Sequence, residues 1–175
     1  MKILSGLTLL FIMGAFIACE NPSSSFPPFH PPNSGINRIS FQQQYIRSSF
    51  VGSISLPRLT VISSKNELNN YEALFNFELS QGQLYTPIAF SEAIKDYSED
   101  FFVNNFLVIL LYGESSGSNR PQVRGVYDNG DIVINRLKPE VGIPDVAKWS
   151  IIIELENRNK LEEFRPVFIE KILPH

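Results

Sequence analysis

The chain has one cysteine and two histidines in 175 residues, and this scarcity excludes more chemistry than any motif supplies. One cysteine can neither close an internal disulfide nor build a cysteine-based zinc cluster. Between Pro31 and Pro174 there is no histidine and no cysteine. Ser-His-Asp and Cys-His nucleophilic mechanisms therefore lack a base there, and zinc would find only carboxylates. No glycine-rich loop opens a helix in the manner that phosphate binding requires. The 15 basic and 18 acidic side chains leave a net charge of −3, and the basic residues are scattered, so there is no electrostatic footprint for nucleic acid. A composition 43% hydrophobic and 19% charged describes a globular chain, of a length that suits one domain. No catalytic, cofactor-binding or metal-ligating set emerges, and the expectation is a protein that is not an enzyme.

The amino terminus gives the single cysteine a meaning. Met1-Lys2 precedes a mostly apolar stretch, Ile3 to Ala18, which ends at Cys19. Interrupted by Ser5, Gly6, Thr8 and Gly14, it falls short of the ~20 apolar residues that span a bilayer. It suits the hydrophobic region of a signal peptide. Phe16-Ile17-Ala18-Cys19 resembles a bacterial lipobox, in which a lipoprotein signal peptidase cuts before a diacylated cysteine. Residues 1–18 are thus expected to be a lipoprotein signal peptide and Cys19 the lipidation site. Two acyl chains give stable anchoring where one holds only marginally.

Five of the twelve prolines lie between Glu20 and Gly35, which rules out a helix or a central strand there. With Cys19 this Pro/Ser-rich stretch, residues 19–37, reads as a tether. Glu20 to Asn37 would span about 24 Å as a random coil and roughly 56 Å as polyproline II.

Residues 38–175 carry the pattern of a folded α+β domain, an antiparallel sheet with one or two short helices packed against it. Phe50–Ile54 and Leu59–Ile62 read as strands. Ser64-Lys65-Asn66-Glu67 is a capping box ahead of Leu68, Tyr71 and Phe75 at helical spacing. Further helical turns are expected over Ser91–Tyr97 and Ser98–Asn105. The continuous apolar run Phe106–Tyr112 predicts a central strand covered on both faces. Asn129-Gly130 between Gln122–Asp128 and Asp131–Leu137 predicts a two-residue hairpin turn, with Tyr127 facing Ile132 and Val126 facing Val133. Trp149, Ile151, Ile153 and Leu155 alternate with Ser150, Glu154 and Glu156, which predicts one buried and one largely wet face. Val167–Ile172 reads as a last strand. Whether residues 38–58 join the main sheet is left open by the pattern.

Two constellations are explained without chemistry. Asp128-Asn129-Gly130-Asp131 lacks the repeated acids and distal glutamate of a calcium loop and serves as a turn. The acid pairs Glu99-Asp100, Glu154/Glu156 and Glu162-Glu163 fall on expected solvated faces or turns.

One loop stands out: Ser115, Ser116, Gly117, Ser118, Asn119 and Arg120, between the most apolar strand and the hairpin. Its serines and asparagine offer adaptable hydrogen bonds and Arg120 a planar fork of donors, which makes it a candidate binding loop. The plainer expectation for Arg120 is a structural ion pair with Asp145.

The order of Tyr97-Ser98-Glu99-Asp100-Phe101-Phe102, the strand Phe106–Leu111, Ser116-Gly117-Ser118-Asn119-Arg120 and Asp145–Glu154 resembles the C-terminal domain family of the protease-complex lipoprotein PrcB, over roughly residues 59–157. Arg38 to Arg58 have no counterpart in that pattern. The resemblance implies a secreted or lipid-anchored β-rich domain, with an accessory role beside a surface protease and no assigned catalytic residue. The expectation is a bacterial lipoprotein held to a membrane through Cys19, at the cell surface or in the periplasm. It would act as an accessory or protein-binding module on a protein partner outside the cytoplasm. The alternative is a small-ligand or glycan-binding lipoprotein using the Ser115–Arg120 loop with Trp149 nearby.

Overall fold

A computed structural model describes residues 35–47, 49–50, 55–75, 77–78, 90–142 and 146–173, all of them within the unit Asn33–His175. The expected signal peptide, Cys19, most of the tether, positions 51–54 of the first expected strand, and Asp145 lie outside the described residues. Among the described residues no helix is long and apolar enough to cross a membrane.

The fold is organised by β6 (Asn105–Glu114) and β9 (Ala147–Glu156), paired antiparallel from Asn105↔Glu156 to Glu114↔Ala147. β2 (Gln42–Arg47) flanks β9, and β4 (Arg58–Ile62) flanks β6, giving the sheet order β2-β9-β6-β4. A second sheet contains β1 (Arg38–Ile39), β7 (Arg120–Tyr127), β8 (Asp131–Pro139) and β10 (Arg165–Leu173), in the order β1-β7-β8-β10. A two-residue pairing joins β3 (Ser49–Phe50) to β5 (Phe77–Glu78). Among the described residues three short α-helices complete the domain: α1 (Lys65–Phe75), α2 (Phe90–Ile94) and α3 (Glu99–Asn104).

The apolar run of β6 faces two layers. Phe106, Val108, Leu110 and Tyr112 join Trp149, Ile151, Ile153 and Leu155 of β9 against Val123, Val126, Ile132 and Ile134 of the second sheet. The residues between them, Leu107, Ile109 and Leu111, pack with Ile152 under Leu68, Tyr71, Phe75, Phe90, Ile94 and Phe102 from the helical side. A strand covered on both faces has no polar side to show, which is why its sequence does not alternate.

The helices follow local chemistry. Ser64 Oγ accepts from the Glu67 amide at 3.1 Å. The Glu67 carboxylate reaches the Ser63 amide at 2.6 Å, one residue earlier than the reciprocal bond of a capping box. Ser98 caps α3 by accepting from the Phe101 amide.

Four expectations need correction. The strands form two facing sheets rather than one. Residues 38–58 contribute to both, since β1 joins β7 and β2 joins β9. The face of β9 expected to be wet is covered by the helical layer: Ser150 and Ile152 are buried, and Glu154 accepts from the Tyr97 hydroxyl at 2.8 Å. The hairpin is one residue out of the expected register, with Val126 opposite Ile132 and Gly125 opposite Val133. Its turn has three residues and Gly130 stands at φ 85°, with the Gly130 amide donating to the Tyr127 carbonyl at 2.9 Å. That is the longer hairpin loop with a left-handed glycine rather than the two-residue turn. A bulge between Val123 and Gly125 shifts the pairing by one residue more, so that Val123 stands opposite Ile134, and the Val123 amide is satisfied by the Tyr45 hydroxyl at 2.7 Å.

The fourth correction concerns the last strand, which is parallel to β8, from Arg165↔Asp131 to Leu173↔Pro139. β9 ends where β8 begins, so a short crossover through Asn157–Phe164 lands β10 beside β8 running the same way. The landing is held by the Arg165 amide on the Gly130 carbonyl at 3.0 Å and by an Arg165–Asp131 ion pair.

A Cβ at Gly130 would collide with the Glu163 carbonyl oxygen at a backbone angle that L side chains avoid. Gly130→Ala is expected to lower stability by more than about 1 kcal/mol. Gly113→Ala meets only Leu56 Cδ1 at 3.5 Å and should stay within about 0.5 kcal/mol of the parent. Urea midpoints of the two variants, measured side by side, check the contrast.

Candidate functional site

The candidate loop begins where β6 runs out at Glu114. Alternation places this acid between the sheets, and its side chain is 0% exposed. A buried carboxylate needs donors, and Arg136 of β8 supplies two: Nε to Oε1 and Nη2 to Oε2, both at 2.7 Å. Asn119, itself buried, adds Nδ2 to Oε2 at 2.9 Å. Arg136 Nη1 reaches Glu170 of β10 at 3.0 Å, and Lys138 Nζ meets the same Glu170 oxygen at 2.6 Å. The bidentate pair thus ties the end of one sheet to the other. Burial pushes the Glu114 carboxyl up, but the bonds from Arg136 and Asn119 and the nearby Arg136 and Lys138 charges outweigh it and hold the group below its ordinary value.

The loop residues expected to bind something are engaged with one another. The Asn119 amide donates to the Ser116 carbonyl at 3.1 Å, and the Ser118 amide donates to Ser116 Oγ at 3.3 Å. Arg120 Nη1 donates to the Gly117 carbonyl at 2.7 Å and to its neighbour Asn119 at 3.2 Å. The Arg120 guanidinium lies over the Trp149 ring, 5.7 Å from its centroid. Its partners among the described residues are therefore loop carbonyls and an aromatic face, while the expected partner Asp145 lies outside those residues. Ser115 is exposed, and Gly117 is buried. Gly142, from the β8–β9 connection, comes so close to Ser116 that a Cβ would sit 2.8 Å from its hydroxyl oxygen. A larger residue there would have to turn the Ser116 hydroxyl aside. Trp149 is 7% exposed and belongs to the core between the sheets.

Beside the Glu114–Arg136 pair the structure opens a cavity of about 270 Å³ lined by Leu56, Pro57, Tyr112, Gly113, Arg136 and Phe168. Its walls come from both sheets: Tyr112 and Gly113 on β6, Arg136 on β8 and Phe168 on β10. Tyr112 and Phe168 rings pack at 5.5 Å. The buried Tyr112 hydroxyl has no hydrogen-bond partner among the described residues. Burial, and then the Glu114 charge, raise its pKa far above the ordinary value, so it remains protonated. Sequence reasoning missed this cavity. A signal was present in the alternation of Ile132 and Ile134, which puts Arg136 and Lys138 on the core-facing side of β8. Three large apolar side chains are exposed on segments that end at this pole: Val141 at 80%, Val146 at 68% and Ile172 at 72%.

The chemistry of the cluster is that of a clamp. A carboxylate already taking three donors is a poor proton acceptor for anything else. Among the described residues no group of three His, Cys, Asp or Glu side chains is placed to hold a metal ion.

Arg136→Ala leaves Glu114 buried and unpaired, which is expected to cost about 3–5 kcal/mol in urea unfolding. Because the folded pKa of Glu114 lies below the ordinary 4.5, its contribution is complete above that pH. It is lost as the pH falls through the folded pKa. Glu114→Gln should therefore flatten the decline of the urea midpoint below pH 4.5; an unchanged slope would place the acid sensitivity elsewhere. No protein-family model, curated protein or solved structure matches this chain.

Proposed function

We propose that this protein is a bacterial lipoprotein, anchored through Cys19 and held outside the cytoplasm by a Pro/Ser-rich tether. Its domain is a non-catalytic accessory module that binds a protein partner. The observation that carries this reading is the position of the only cysteine: it ends the apolar leader and directly precedes the proline-rich stretch. The use of Glu114, Arg136, Asn119 and Arg120 as clamps within the fold supports it further. A domain whose most conspicuous charged groups bond to one another is built to hold shape. The likeness to the PrcB C-terminal domain family, carried by residues 59–157, makes a surface or secreted protease complex the first place to seek the partner.

The small-ligand or glycan reading draws less support. A sugar platform needs an open aromatic face, whereas Trp149 is buried in the core with Arg120 lying over its ring.

Cells fed radiolabelled palmitate should label the wild-type protein and leave Cys19→Ala unlabelled; equal labelling of the two overturns the anchor. Crosslinking on intact cells should recover a specific extracytoplasmic protein at native expression. Repeated recovery of the chain alone would sink the accessory role.

A further inference from the structure

The cavity between the sheets is lined by a tyrosine whose polar group the described residues leave unmatched. Alternation along β6 turns Tyr112 toward the second sheet with Phe106, Val108 and Leu110, and Tyr112 is 3% exposed. Its hydroxyl meets no hydrogen-bond partner among the described residues, although buried hydroxyls ordinarily have one. Tyr97 and Tyr45 show the usual solution. Tyr97 donates to Glu154 and accepts from Gln44, and Tyr45 donates to Gln43 and accepts from the Val123 amide. Arg136 forms another part of the cavity wall. Its Nε, Nη1 and Nη2 each give one N–H to Glu114 or Glu170. A guanidinium carries a second N–H on each Nη, and no described residue takes either. The remaining side chains of the lining are apolar. They are Phe168, whose ring packs against Tyr112 with centroids 5.5 Å apart, and Leu56 and Pro57 ahead of β4.

We infer that this cavity binds a small uncharged molecule, one aromatic ring bearing a carbonyl oxygen, which lies against Phe168 and Leu56-Pro57 and accepts from the Tyr112 hydroxyl beside Arg136. The site is separate from the Ser115–Arg120 loop, whose Arg120 donates to loop carbonyls. It does not depend on the protein-binding role proposed above.

Size, charge and donor set choose this ligand class. An apolar cavity of roughly 150 Å³ takes one benzene ring, and sites for drug-sized ligands begin near roughly 300 Å³. At about 270 Å³ the cavity suits a single ring with a short substituent. The charges beside it are balanced, since Arg136 and Lys138 are met by Glu114 and Glu170. An ion entering there would lose its hydration and find no opposite charge left for it. The Tyr112 hydroxyl stays protonated, because burial and the Glu114 charge raise its pKa, and a guanidinium only donates. Both groups therefore call for an acceptor, which a carbonyl oxygen supplies without bringing a proton of its own. The Tyr112 and Phe168 rings favour an aromatic body over an aliphatic one.

The test uses the full-length lipoprotein in lipid nanodiscs, with empty nanodiscs correcting for uptake of the probe by lipid. Fluorine NMR follows the binding of para-fluorobenzamide and of two charged relatives, para-fluorobenzoate and para-fluorobenzylamine. The amide should bind saturably, and each charged probe at least about tenfold more weakly. Tyr112→Phe keeps the ring and removes only the hydroxyl, and should weaken amide binding by about tenfold. Its urea midpoint without probe should be equal to or above that of the parent, because the lost hydroxyl had no partner to leave behind. Gly113→Leu, whose side chain would enter beside Leu56, should abolish binding if its urea midpoint is kept; where it is not, Tyr112→Phe decides. Any of four results overturns the site: no saturable binding of the amide, a charged probe binding as tightly, an unchanged affinity in Tyr112→Phe, or full binding by a folded Gly113→Leu chain. A lowered urea midpoint in Tyr112→Phe overturns it as well, since the hydroxyl would then serve the fold.

Discussion

The pairing of β6 with β9 sets the terms for everything around it. From Asn105↔Glu156 to Glu114↔Ala147 the two strands run side by side, and Phe106 through Tyr112 and Ile151 through Ile153 are almost wholly withdrawn from solvent. A sheet centre this apolar on both faces cannot end at water on either. One face takes the second sheet, and the other takes the three helices. Each Leu or Ile so enclosed contributes roughly 1.5–3 kcal/mol. The helices are too short to hold themselves by propensity; Leu68, Tyr71 and Phe75 hold α1 against Ile109 and its neighbours.

The same burial explains the polar cluster. Once β6 continues to Glu114 inside the stack, the acid must be neutralised there, and only the facing sheet is within reach. Arg136 answers from β8, Asn119 folds back to complete the set, and the loop between them takes its shape from that requirement. A buried pair of this kind adds little net stability over an apolar pair of equal volume. Its effect is registration: it fixes how the sheets meet at the end where the cavity opens.

What the sequence showed was local. The apolar run of β6, the serine cap at Ser64 and the presence of a turn around Asn129-Gly130 depend on neighbours within a few residues, and each lies where the pattern put it, although the turn is one residue longer than expected. Interactions between distant segments were hidden. β10 looked like any closing strand, yet its parallel course follows from where β9 stops. Ser150 and Glu154 looked solvated because nothing in their own stretch announces the helices that cover them. Arg124 gives no sign of the bulge that shifts the hairpin register. For the loop, the residues Ser115–Arg120 were found by composition, but composition cannot tell donors facing outward from donors turned on their own carbonyls. The Glu114–Arg136 bond was half legible, since alternation places both charges inward; only the tertiary fold brings them together.

The attachment at Asn37 has a mechanical side. Three hydrogen bonds join it to Asp128, two into the carboxylate and one from the Asp128 amide to the Asn37 carbonyl. The pairs Arg38↔Tyr127 and Ile39↔Val126 follow directly. Any tension arriving along the preceding chain meets this short clasp first. Beyond it lies the longer β2–β9 ladder in the other sheet. The load is thus passed to both sheets within ten residues of its arrival.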